Sequence, residues 1–155
     1  MTEFDGRTVA AGRVALVVSR YHERVTARLL AGARDACRDA GLADDAVDVL
    51  WVPGAFELGV TVTAAVHSGA YSAVVALGAV VRGETPHFDV IVRETAAALG
   101  RAATDSLVPV GFGLLTCDTM DQAMARAGGT SGNKGREAAE AALRTADLLR
   151  QALGE

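Results

Sequence analysis

Side chains able to do chemistry gather in a few short stretches of this 155-residue chain. The densest is residues 77–89, Leu-Gly-Ala-Val-Val-Arg-Gly-Glu-Thr-Pro-His-Phe-Asp. An apolar run stops there at Arg82, Gly83 opens a turn, and Glu84, Thr85 and His87 follow. A histidine at such a place can give and take a proton near neutral pH; taken alone it reads first as a solvated residue at a helix start. Backbone amides of Gly83, Glu84 and Thr85, with the Thr85 hydroxyl, can hold an anion. Pro53-Gly54-Ala55-Phe56-Glu57 presents amides at the start of another helix. They can receive the carbonyls of a heterocycle while Glu57 accepts from a sugar hydroxyl, or Glu57 serves only the helix dipole. Tyr21 stands where a strand ends, as a ring to stack on a planar ligand or as a half-buried surface tyrosine.

Gly132-Asn133-Lys134-Gly135 looks like a second anion site at a helix start. It is not a nucleotide phosphate loop, because Asn133 separates the glycine from the lysine and no Ser or Thr follows Lys134. Gly111-Phe112-Gly113 lacks the third glycine of a dinucleotide fingerprint. Arg126 can offer a fork to phosphate or complement the end of a short helix.

The elements that must position these groups alternate. Residues 14–19 are a continuous apolar run, as expected of a strand covered on both faces. Further strands are expected at 47–52, 72–81 and 108–116. Val25, Leu29, Leu30, Ala33, Ala36, Cys37 and Ala40 recur at helical spacing up to a Gly41 cap. Helices are also expected over 56–66, from Phe88 to Ala102, from a Thr119/Gln122 capping box, and from Arg136 to Leu153, the last with Ala138, Ala142, Ala146, Leu149 and Leu153 inward. Residues 128–135 read as a glycine-rich loop and 8–11 as a weak extended segment. Strand–helix alternation implies parallel units with right-handed crossovers, whose ligands bind beyond the carboxyl ends of the strands. The expected architecture is one domain over residues 1–155, an α/β/α three-layer sandwich of flavodoxin-like type on four parallel strands.

Composition narrows the function. Half the residues are apolar but only 5% aromatic, so the core is built from Ala, Val and Leu. With 19 acidic and 15 scattered basic residues, the chain lacks the clustered cations of a nucleic-acid grip or a membrane patch. No apolar run approaches the ~20 residues of a membrane span. Glu3, Asp5 and Arg7 precede any apolar segment, so no signal peptide is expected. Cys37 and Cys117 read as reduced buried thiols of a cytoplasmic protein. His22, His67 and His87 have no ligand-like spacing, so no metal is expected. From the residues alone, the chain is an α/β domain whose site is planar, phosphate-binding or doubly occupied; the reaction stays unnamed.

Three motifs then carry a resemblance. Val52-Pro53-Gly54-Ala55-Phe56-Glu57, Leu77-Gly78-Ala79-Val80-Val81-Arg82-Gly83-Glu84-Thr85-Pro86-His87, and Arg126-Ala127-Gly128 with Gly132-Asn133-Lys134-Gly135 resemble 6,7-dimethyl-8-ribityllumazine synthases, over nearly the whole chain. The resemblance implies the penultimate step of riboflavin biosynthesis: condensation of 5-amino-6-(D-ribitylamino)uracil with 3,4-dihydroxy-2-butanone 4-phosphate, without a cofactor. It implies that Tyr21 stacks on the pyrimidine, where the family carries Phe or Trp. Ala55, Phe56 and Glu57 would bind the ribitylaminouracil, and Ala79, Val80 and Val81 would hold its ring. Glu84 and Thr85 would hold the phosphate through loop amides with Arg126 as cationic partner, Lys134 lying close by. His87 would transfer protons, and Phe112 would line the site from a neighbouring subunit. Family members form pentamers, some building shells of sixty subunits. The short 128–135 connection leans to the shell, with residues 8–11 pairing against a neighbour's sheet. The alternatives kept open are a non-catalytic lumazine- or flavin-binding relative, a structural shell protein, and the related archaeal type of riboflavin synthase.

Overall fold

The computed structural model describes residues 1–154. Four strands, β1 (Val14–Ser19), β2 (Val47–Val52), β3 (Ala73–Val81) and β4 (Val110–Cys117), form one parallel sheet in the order β2-β1-β3-β4. Every residue of β1 is buried, because β2 and β3 pair with it on either side while helices cover both faces. The run is continuous in apolarity, yet its side chains still divide by period two. Val14, Leu16 and Val18 pack with α1 (Glu23–Asp39), α4 (Met120–Ala125) and α5 (Lys134–Leu153). Ala15 and Val17 pack with α2 (Leu58–His67) and α3 (His87–Ser106). The three layers expected from the alternation are present.

Small residues let the layers close. A Cβ on Gly111 would meet the Ala138 carbonyl of α5, and one on Gly113 would come within 3.3 Å of the Ala138 Cβ and 2.7 Å of Leu77. These β4 glycines therefore bring α5 down onto the sheet.

Several local expectations are refined. A 3₁₀ turn, Ala55–Glu57, precedes α2. Residues expected as a glycine-rich loop form a small antiparallel hairpin, β5 (Ala127–Gly129) with β6 (Gly132–Asn133), and α5 begins at Lys134, two residues early. Leu153, expected inward, is exposed at the end of α5, beyond the last turn that the sheet covers. The α4 cap forms through Thr119 Oγ1, which accepts from the Gln122 amide at 3.2 Å, while Gln122 Oε1 accepts from Asp118 N at 2.8 Å. Residues 8–11 form no strand within the chain. The segment just before them is held by α5: Arg7 N donates to the buried Asp147 carboxylate at 2.8 Å and Arg144 Nε to Gly6 O at 3.0 Å. That amide, then Gln151 and Arg150, hold the Asp147 carboxyl below the usual carboxylate range against the opposing effect of burial.

Candidate functional site

The carboxyl ends of β1, β2 and β3 open onto a cavity of about 760 Å³. Its floor is the end of β3, Ala79, Val80 and Val81; its walls carry Tyr21, Ala55, Phe56, Glu57, Thr85 and His87. Nine of the residues singled out in the sequence thus converge here. Backbone ties set two walls against each other: Arg20 N donates to Val52 O at 2.8 Å and Tyr21 N to Pro53 O at 3.0 Å. The loop after β1 is therefore sewn to the Pro-Gly turn after β2. The Tyr21 and Phe56 rings are both more than half exposed, so the cavity presents two apolar planes to a ligand. Gly54 is extended, and the Glu57 carboxylate folds back to within 3.3 Å of where a Gly54 Cβ would stand.

His87 is the first residue of α3 and is exposed, with its backbone N–H 3.4 Å from Thr85 Oγ1. Residues 83–86 are exposed. Gly83 was expected to supply the turn, but its backbone avoids the left-handed region and nothing lies within 4 Å of its Cβ position. Its smallness leaves open room beside the cavity rather than a special turn. Glu84 is exposed but does not line the cavity.

Phe112, Arg126 and Lys134 stand apart from this cavity. They line a second hollow of about 480 Å³ along β4 and the start of α5, with Thr116, Cys117, Ser131 and Glu137. Phe112 projects half-exposed from β4, an edge strand paired only with β3. Arg126 ends α4 and donates from Nη1 to Gln122 O at 3.0 Å. Lys134 N donates to Arg126 O at 2.8 Å. Burial raises the Cys117 thiol and the nearby Arg126 pulls it back. The anion site read at 132–135 is corrected in part. Asn133 Oδ1 accepts from Arg136 N and its Nδ2 donates to Arg28 O, each at 3.0 Å. It caps α5 and ties it to α1, leaving Lys134 as that stretch's contribution to the hollow.

Sequence reasoning passed over His22, Arg82, Phe88 and Ile91, which also line the main cavity. Phe88 and Ile91 belong to the helix expected from Phe88 to Ala102 and had no role assigned beyond it. His22 adopts a left-handed conformation (φ 58°, ψ 45°) at the start of α1, with its ring 4.6 Å from that of Tyr21 in an edge contact. Burial pushes its pKa down. Arg82 is held by Asp118 and Asp89 and stacks on Phe88. A groove of about 540 Å³ between α2 and α3 extends away from the strand ends. Among the described residues no helix is long and apolar enough to cross a membrane.

Residues 11–150 match the sequence profile of the family described as 6,7-dimethyl-8-ribityllumazine synthase. A relative from Gemmatimonas aurantiaca that bears the same description is 53% identical over 154 residues, covering 99% of this chain and 94% of the relative.

Proposed function

This chain belongs to the 6,7-dimethyl-8-ribityllumazine synthase family, and we propose how its own residues divide that family's reaction. It is a transferase that condenses 5-amino-6-(D-ribitylamino)uracil with 3,4-dihydroxy-2-butanone 4-phosphate, giving 6,7-dimethyl-8-ribityllumazine, phosphate and water in riboflavin biosynthesis. In our reading, Tyr21 stacks on the pyrimidine and backbone groups of Ala79, Val80 and Val81 hold its ring. Ala55, Phe56 and Glu57 take the ribityl chain, the carboxylate accepting from its hydroxyls. The loop amides of Glu84 and Thr85 hold the phosphate. The Glu84 side chain, which does not line the cavity, keeps its charge clear of that anion. His87, beside the loop, moves the protons as the amine adds to the ketone, phosphate leaves and the ring closes. Holding two reactants in register supplies several kcal/mol, and proton transfer a further ~10²–10⁴-fold.

One observation carries the reading furthest. Tyr21, Ala55, Phe56, Glu57, Ala79, Val80, Val81 and His87 line one cavity, whereas Phe112, Arg126 and Lys134 line another on the same chain. We propose that a neighbour's Phe112 and Arg126 complete each site, so the enzyme is a homo-oligomer in which Arg126 meets the phosphate across the interface. A cytoplasmic pentamer fits this, with the short 128–135 connection favouring the shell of sixty. Residues 8–11 would then pair with a neighbour's open sheet edge, covering it.

The test is lumazine fluorescence and phosphate release with both substrates and with each omitted in turn. Emission requiring both supports the synthase; lumazine binding without turnover would turn the reading to a non-catalytic relative. Sedimentation velocity on the same preparation separates pentamer from shell.

A further inference from the structure

We propose that Arg82 is the positioning residue of the phosphate loop, clamping its two ends while its own charge is consumed by carboxylates. This rests on the proposed binding of phosphate by that loop. Residues 83–86 are exposed. Among the described residues, their one side-chain tie is the long contact between Thr85 Oγ1 and His87 N. The position of the loop amides is therefore set from its ends. Arg82 reaches both. Its backbone N–H donates to Cys117 O at 2.9 Å, continuing the β3–β4 ladder. Its Nε donates to Asp118 Oδ1 at 2.8 Å, just past β4, and its Nη1 to Asp89 Oδ1 at 3.4 Å, in the first turn of α3. The guanidinium also lies 4.4 Å from the centre of the buried Phe88 ring. A planar fork with several fixed donors can meet two carboxylates and a ring face at once; an ammonium cannot.

Charge argues against Arg82 as the anion's ligand. Two carboxylates face one guanidinium, and Asp118 foremost, then Asp89, hold Arg82 more firmly in its charged form. Arg82 and its partners are also half-exposed, so as a stability element the cluster is weak. What remains is geometry, since a small displacement of groups that hold a substrate costs rate out of proportion to the stability lost.

Asp118 separates the possibilities by sign. Steady-state kinetics and unfolding are measured for D118N, R82M, R82K and the R82M/D118N double variant, with ribitylaminouracil affinity measured directly. If Arg82 positions the loop, D118N and R82M each raise the KM for the butanone phosphate roughly five- to tenfold with small changes in Tm, R82K lies between them and wild type, and the double variant is no worse than R82M. Ribitylaminouracil affinity stays within about twofold in all of them. A D118N that lowers this KM makes Arg82 a direct anion ligand and overturns the proposal. Unchanged KM, or equal losses for both substrates, overturns it as well. R126A, run alongside, keeps the failures apart. If R126A raises this KM and the Arg82 and Asp118 variants do not, the positioning role alone falls; if R126A also leaves it unchanged, the phosphate site itself is misread.

Discussion

Gly135→Ala tests whether α1 and α5 touch as closely as the fold requires. A Cβ on Gly135 would stand 2.7 Å from the Leu29 carbonyl carbon and 2.8 Å from its Cα, and closer still to the carbonyl oxygen. These are backbone atoms in the middle of a 17-residue helix, so no rotamer change relieves them. Gly100→Ala, inside α3, is the matched control, because nothing lies within 4 Å of its Cβ position. Gly100→Ala gains about 0.5–1 kcal/mol from reduced backbone freedom and better helix propensity, and Gly135→Ala, in the first turn of α5, gains no more than that. Only Gly135→Ala also incurs overpacking, about 1–3 kcal/mol. Since 1 kcal/mol shifts Tm by about 2–4 °C at this chain length, G100A is expected to melt a few degrees above wild type and G135A several degrees below. Thermal unfolding at one fixed protein concentration is the assay, because the proposed assembly would make Tm concentration-dependent. A G135A protein melting at or above G100A would refute the close helix contact, and with it the argument that glycines here set inter-layer distance.

Further predictions concern the site and acid behaviour. His87→Gln should lower kcat about 10²–10⁴-fold with ribitylaminouracil affinity nearly unchanged; equal losses in both would make His87 a binding residue. Asp147 titrates below its unfolded value when folded, so its contribution is present above the ordinary carboxylate pKa and lost as pH falls through the folded one. D147N should flatten the fall of Tm between neutral and acid pH; parallel curves for variant and wild type would contradict this. His22 has the opposite sense to an ion-paired histidine: with its folded pKa depressed, the unfolded chain takes the proton first, and stability falls as pH drops below about 6.5. H22N should remove that segment of the Tm–pH curve, and a curve identical to wild type would argue against it.

The sheet was legible because a run such as Val14 to Ser19 can be satisfied only by cover on both faces. The cavity was legible because Pro53-Gly54, Arg82-Gly83 and Tyr21 each punctuate the end of a strand. Other features depended on distances that a sequence does not state. Gly111 and Gly113 invited comparison with a nucleotide loop, yet their smallness serves α5. Asn133 looked like part of an anion site, but its amide is committed to the α5 cap and to Arg28. The left-handed backbone of His22 has no residue-type signature, and Arg82 gains meaning only when the ends of β4 and α3 are brought beside it. The separation of Arg126 from His87 is set by the fold, and only the resemblance placed Phe112 on a neighbouring subunit.

That separation offers the most direct test of a shared site. H87A and R126A proteins, each weakly active alone, are unfolded together and reassembled at equal ratio. In a closed ring with each site built from two neighbours, random mixing gives roughly one site in four that takes His87 from one subunit and Arg126 from the next, both intact. Recovery of about a quarter of wild-type lumazine formation is expected. A mixture no more active than the mean of its two components would mean that both residues act within one chain, and the shared site would be wrong.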